Sequence, residues 1–215
     1  MTHARVAGAV LALAMLAGCG GGREIEPVRV VADEPVPASP TDWHRLVTDA
    51  DRKRLREWRS AWVSALAQAR IEAGDKIAAD ASLYAFDAAL TGPVPPAGDY
   101  RCRTIKLGAK GAGGLRYVAY PFFRCRVTMQ GVAASLEKLT GSQRGTGTIY
   151  PHDASRAVFL GTMALGDERG AVRYGRDASR DMAGWVERIG PARWRVALPY
   201  PAYESTLDVL DLVAV

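Results

Sequence analysis

From Asp99 to Val215 the chain alternates short runs of β-branched and aromatic residues with clusters of Gly, Pro and Asp. Eight such runs stand out: Tyr100–Leu107, Tyr117–Met129, Val132–Thr140, Gly145–Tyr150, Ala157–Ala164, Met182–Ile189, Arg193–Pro199 and Glu204–Val213. Strand-like runs at this regular spacing point to an antiparallel sandwich or barrel. Side-chain parity sharpens the reading. Phe123, Cys125, Val127 and Met129 fall on one face, and Arg124, Arg126 and Thr128 on the other. Trp194, Val196 and Leu198 oppose Arg193, Arg195 and Ala197 in the same way. Eight antiparallel strands can close into a barrel wide enough for side chains or one small ligand, and closure removes exposed edges.

Upstream the texture is helical, from Thr41 to Leu90. Thr48 and Asp51 have the spacing of a capping box, and Asp49 and Asp51 place negative charge where a helix begins. Leu55, Trp58, Trp62, Leu66 and Ala69 recur at spacings of three and four, one apolar stripe. The stripe reads as a packing face in preference to a ligand platform. Gly74 is expected to end this helix, with a shorter one over Asp75 to about Leu83. Pro93, Pro95 and Pro96 then break regular structure, and Gly108 to Gly114 reads as a glycine-rich hairpin loop. The expected fold class is α+β: N-terminal helices followed by an antiparallel, roughly eight-stranded β-barrel, lipocalin/calycin-like, with one disulfide. The helices are expected to cap or flank the barrel.

The amino terminus gives an address. Leu16-Ala17-Gly18-Cys19 closes an apolar run, Val6 to Ala17, that follows His3 and Arg5. A basic start, a short apolar core and small residues before a Cys form a lipobox. The run is too short to span a bilayer core, which takes roughly 20 apolar residues. Residues 1–18 are therefore expected to be a lipoprotein signal peptide and residues 19–41 the lipidated Cys19 with a flexible linker, leaving 42–215 as one helix-plus-barrel domain. Acyl chains on Cys19 would anchor the mature protein to a membrane. Gly20 after the Cys favours the outer membrane, periplasmic face. The linker, rich in Gly and Pro, has a reach of roughly 25 Å as a coil.

Signal removal takes Arg5 from a chain of formal charge +5, leaving +4. It also leaves Cys102 and Cys125 as an even pair, 23 positions apart, which reads as a disulfide in an oxidising compartment. Each Cys is flanked by two arginines. If the two Cys meet across neighbouring strands, parity puts Arg101, Arg103, Arg124 and Arg126 together on the other face. From Arg101 to Gln130 there are seven basic residues and no carboxylate. Guanidinium groups bind phosphate and carboxylate in pairs, so these four are candidates for an anionic lipid headgroup or glycan. Ion pairing with Asp99, Glu137, Asp208 or Asp211 is the competing reading.

Other constellations carry little. No His/Cys/Asp cluster has zinc spacing. Ser142, His152 and Asp153 lack a nucleophile elbow. Gly108-Ala109-Lys110-Gly111 lacks the phosphate-loop pattern. The acidic pairs Asp167-Glu168 and Asp177 with Asp181 read as solvated turn charges, and His152 as a solvated turn residue. No catalytic residue, metal ligand or cofactor is assigned, and no nucleic-acid partner is expected in this compartment.

Four strings carry a family resemblance: Gly98-Asp-Tyr-Arg-Cys-Arg-Thr-Ile-Lys-Leu-Gly108, Tyr120-Pro-Phe-Phe-Arg-Cys-Arg126, Glu137-Lys-Leu-Thr-Gly-Ser-Gln-Arg144, and Glu187-Arg-Ile-Gly-Pro191 with Arg193-Trp-Arg195. With them and the Trp58/Trp62 helix, the chain from about Trp43 onward resembles DUF4893, a family of bacterial envelope proteins with no assigned function. The resemblance implies an envelope domain and transfers no activity. The expected function is non-catalytic binding of an anionic envelope component. The rivals are an interaction or inhibitor module with an envelope protein as partner, and carriage of a small apolar ligand in the barrel lumen. Tyr100, Phe123, Phe159, Trp185 and Trp194 are large enough to fill that lumen, so its openness discriminates between these readings.

Overall fold

The structure, a computed structural model, describes residues 42–166 and 168–215. The signal peptide, Cys19, the linker and Asp167 lie outside the described residues.

Four helices come first: α1 (Trp43–Leu46), α2 (Asp49–Arg56), α3 (Trp58–Ala79) and α4 (Ala81–Tyr84). The Thr48 hydroxyl caps α2 by accepting from the Asp51 amide at 3.2 Å, which satisfies one of the free donors of the first turn. The apolar stripe is broken at Glu57, so Leu55 belongs to α2 and the rest to α3. Trp58, Trp62, Leu66 and Ala69 are all buried, as a packing stripe requires. Gly74 does not end the helix. α3 kinks at Ala73 (φ −142°, ψ 36°) and runs on to Ala79. Ile77 is buried in the same cluster as Trp62 and Leu66; this burial outweighs the cost of about 1 kcal/mol that a mid-helix Gly carries.

Nine strands follow: β1 (Gly98–Ala109), β2 (Tyr117–Ala119), β3 (Phe123–Gln130), β4 (Ala133–Lys138), β5 (Gln143–Pro151), β6 (Arg156–Leu165), β7 (Asp181–Gly190), β8 (Arg193–Pro199) and β9 (Ser205–Ala214). The run expected from Tyr117 to Met129 is two strands. Pro121 offers no amide to a ladder, and the chain leaves the sheet between Ala119 and Phe123. β1 spans both pieces. Its Gly98–Cys102 half pairs with β3 and its Ile105–Leu107 half with β2.

Each strand from β3 to β9 pairs antiparallel with the next, and β1 pairs with β9 from Tyr100↔Ala214 to Ala109↔Ser205. The wall is therefore a closed eight-stranded antiparallel barrel of β1 and β3–β9, with β2 as a short addition beside β1. One apolar cluster draws on all eight strands and marks the interior, including Cys102, Cys125, Leu136, Ile149, Phe159, Val186, Val196 and Leu212.

The helices flank the barrel. Trp58, Trp62, Ala65 and Leu66 pack with Ile105, Leu107, Ala197, Leu207 and Val209, the outer faces of β1, β8 and β9. Trp43, Val47 and Leu55 pack with Val158, Leu160 and Ala183 of β6 and β7. A Cβ on Gly108 would come within 2.9 Å of the Ala65 Cα, so bare backbone on β1 lets α3 lie close. This coverage explains why β8 is buried at six consecutive positions, whereas β3 alternates towards solvent.

Polar anchors fix the helices to the wall. Asp80, between α3 and α4, accepts from Arg193 Nη1 at 2.9 Å and Arg103 Nη2 at 3.1 Å. Asp211 of β9 accepts from the Nε atoms of the same two arginines, at 2.8 and 2.9 Å. Burial works to raise the Asp80 pKa, but the Arg193 hydrogen bond and the two guanidinium charges outweigh it and hold the carboxyl below its ordinary value.

Candidate functional site

The barrel interior is filled at one end and open at the other. Tyr100 and Trp194 meet edge to face at the closed end, with ring centres 6.0 Å apart, and the Tyr100 hydroxyl donates to the Pro96 carbonyl at 2.7 Å. Burial pushes the Tyr100 phenol up to about 12. Trp185 stands on the outer face and donates its indole N–H to the Leu55 carbonyl at 3.0 Å. Phe123 and Phe159 line the open part without filling it.

That open part is a cavity of about 450 Å³. Cys125, Leu136, Phe159, Val196 and Leu210 form its deeper wall, and Met163, Met182 and Leu198 continue towards the mouth. The Phe159 ring lies against the paired glycines Gly147 and Gly161; a Cβ on Gly161 would come within 2.5 Å of its Cζ. The side chain is thus held to the wall. At the mouth stand Thr104, Lys106, Lys138, Gln143 and Asp208, with the segment Tyr120–Phe122 where the chain leaves the sheet. The Tyr120 amide ties that segment to the Thr104 carbonyl at 3.0 Å.

The ionised groups at the mouth differ in how they are satisfied. Lys106 Nζ lies 3.3 Å from Asp208 Oδ2 and 3.4 Å from Glu204 Oε2. Asp208 also accepts from the Ser205 hydroxyl. Burial raises the Asp208 pKa against the pull of Lys106. Burial likewise disfavours the Lys106 ammonium, but the Asp208 charge outweighs it and raises that pKa. Lys138 is different. Its Nζ sits 4.1 Å from the centre of the Phe123 ring, and among the described residues it has no acidic partner within 4.0 Å. Burial lowers its pKa, and the Arg144 charge lowers it further.

The disulfide joins Cys102 and Cys125, whose Cα atoms are 6.0 Å apart. The register is diagonal, since Tyr100 faces Cys125 and Cys102 faces Phe123. Both Cys point inward, and the four candidate arginines take the outer face. Arg101 stands directly across from Arg124. Arg103 is engaged by Asp80 and Asp211, and Arg126 Nε lies 2.7 Å from Asp99 Oδ1. Arg101 and Arg103 flank the Phe122 ring, at 4.6 and 4.9 Å from its centre. Two of the four charges are thus neutralised within the described chain. Arg101 and Arg124 have no ion pair among the described residues.

Ser142 and His152 flank opposite ends of the nine-residue β5, roughly 30 Å apart at strand rise, so they do not meet. His152, expected to be a solvated turn residue, also packs edge-on against Trp43, with ring centres 5.5 Å apart. Sequence reasoning missed Lys106, Asp208 and Lys138 as lumen residues. Parity carried the signal: Lys106 follows Tyr100 and Cys102, Lys138 follows Ala134 and Leu136, and Asp208 precedes Leu210 and Leu212, all inward-facing.

No curated protein and no solved structure matches this chain. A family model, "Domain of unknown function (DUF4893)", matches residues 43–212, from the first turn of α1 to within three residues of the chain end. That span takes in every residue that lines the cavity, and the chain belongs to the DUF4893 family.

Proposed function

We propose that this protein is a non-catalytic carrier or sensor that takes a small, largely apolar molecule into the open half of its barrel, working from the periplasmic face of the outer membrane where Cys19 is acylated. The observation that carries the reading is the cavity of about 450 Å³ with apolar walls and a polar mouth. Small-molecule sites are concave, mostly apolar, and occupy roughly 300–1,000 Å³. The outer arginine face supports surface recognition less well, because Asp80, Asp99 and Asp211 take up two of its four charges.

An environment-sensitive apolar fluorophore tests the lumen. N-phenylnaphthylamine added to the full chain carrying Cys19→Ala, which has no acyl chains of its own to compete, is expected to brighten and shift to the blue. Leu210→Trp, which fills the cavity from β9, is expected to weaken this binding about tenfold or more, since one buried large side chain is worth roughly 1.5–3 kcal/mol of contact. Equal fluorescence from the two proteins would remove the lumen as the site.

The anchor has its own test. Cells fed an alkynyl fatty acid are expected to label the wild-type chain and to leave Cys19→Ala unlabelled, with the labelled chain fractionating with outer membranes. Labelling that survives the substitution would remove Cys19 as the acylated residue.

A further inference from the structure

The mouth of the cavity carries a balance of charges that lacks one partner. Lys106 is matched by Asp208 and Glu204. Arg180, which lines a smaller hollow beside the mouth, is matched by Glu168 and Asp177. Arg54, in that neighbouring hollow, is matched by Asp51. Arg144 spends its guanidinium on the carbonyls of Gly141, Gly166 and Glu168, at 3.2, 2.6 and 2.6 Å. Lys138 projects into the cavity mouth from the end of β4, half-buried against Phe123, and among the described residues no acid meets it. A partly desolvated ammonium gains from an anion placed beside it.

We infer that the lumen takes a single-chain acyl carboxylate, its tail along Leu136, Phe159, Val196 and Leu210 and its carboxylate on the Lys138 ammonium. The inference rests on the lumen reading above and names the ligand class of that site. Four features select this class. Cys125 stands across from Lys138, and the apolar wall continues below them through Leu136, which suits a chain rather than a sugar. Lys138 supplies one compact charge, whereas a phosphate dianion is better served by a free guanidinium fork, and Arg144 has none to spare. At the mouth two carboxylates, Asp208 and Glu204, share the one Lys106 ammonium, and a second negative charge on the ligand would add to that excess, so a monoanion is favoured. The cavity volume, towards the lower end of the small-molecule range, suits one chain rather than two.

Calorimetric titration of the Cys19→Ala full chain with decanoate and with decanol separates the two layers of the argument. Decanoate is expected to bind about tenfold or more tighter than decanol at neutral pH, the usual worth of a hydrogen bond to a charged group. Lys138→Met is expected to bring decanoate to the level of decanol while leaving decanol unchanged. Lys138→Arg is expected to keep the preference, which shows that the loss in the Met variant is not a folding defect. Equal affinity for acid and alcohol in the unsubstituted lumen, or decanoate binding indifferent to Lys138→Met, would overturn the carboxylate assignment and leave the lumen standing. Binding of neither ligand by folded protein would overturn the lumen reading itself.

Discussion

Glu187→Ala is expected to lower the unfolding free energy by about 3–5 kcal/mol, read as a shift of the urea midpoint at neutral pH. Glu187 and Arg195 are both fully buried between β7, β8 and the α4 segment. One carboxylate oxygen accepts from Arg195 Nη2 at 2.6 Å and Nε at 2.8 Å, and the other accepts from Arg156 Nε at 2.8 Å. Arg195 also donates to the carbonyls of Leu83 at 2.8 Å and Ala85 at 2.7 Å, where α4 ends and its carbonyls lack helical partners. Its guanidinium lies 4.5 Å from the centre of the Trp62 ring. Burial pulls the Arg195 pKa down while Glu187 pulls it back up. Without Glu187, two guanidinium groups would face each other under the helices with only the weaker Asp87 charge to offset them. Glu187→Gln combined with Arg195→Met is expected to lose less than Glu187→Ala alone, because the charge is removed with its partner. A Glu187→Ala protein within about 1 kcal/mol of wild type would mean that water reaches this layer.

Cys102→Ala with Cys125→Ala is expected to cost about 3 kcal/mol, the chain-entropy value for a loop of this size. The closed loop, 23 residues in separation, holds β2, Pro121 and Phe122. Both Cys are buried in the barrel interior, so bare exposure to reductant is expected to act slowly on folded protein. Urea unfolding of wild type in dithiothreitol should coincide with that of the double variant, and the double variant should ignore the reductant. Wild-type unfolding that does not respond to reductant would mean that the bridge contributes no stability.

The strands were legible because period two is strict. Parity alone set Cys102, Cys125, Val196 and Leu198 inward and Arg101, Arg124 and Arg195 outward, and each stands so. What parity cannot carry is the fate of an outward residue. Arg124 faces solvent and Arg195 is fully buried, and the difference is made by helices packed from elsewhere in the chain. Gly74 was misread for a similar reason: local propensity favoured a stop, and long-range burial of Ile77 carried the helix through. Pro121 was a local signal available in the sequence for the split of β2 from β3. The open lumen was not legible, because Tyr100, Phe123, Phe159 and Trp194 have the bulk to fill it. Whether they do depends on which end of the barrel each occupies and on bare glycines beside Phe159.

The seam between β1 and β9 also sets the order of assembly. These are the first and last strands of the barrel, and their nine matched pairs from Tyr100↔Ala214 to Ala109↔Ser205 join residues 96 to 114 positions apart in sequence. Contacts of such long separation form late and slowly, since the whole intervening chain must be ordered before they close. A nascent chain stopped before Ser205 holds two unsatisfied edges, those of β1 and β8, and stays a template for other strands until β9 arrives.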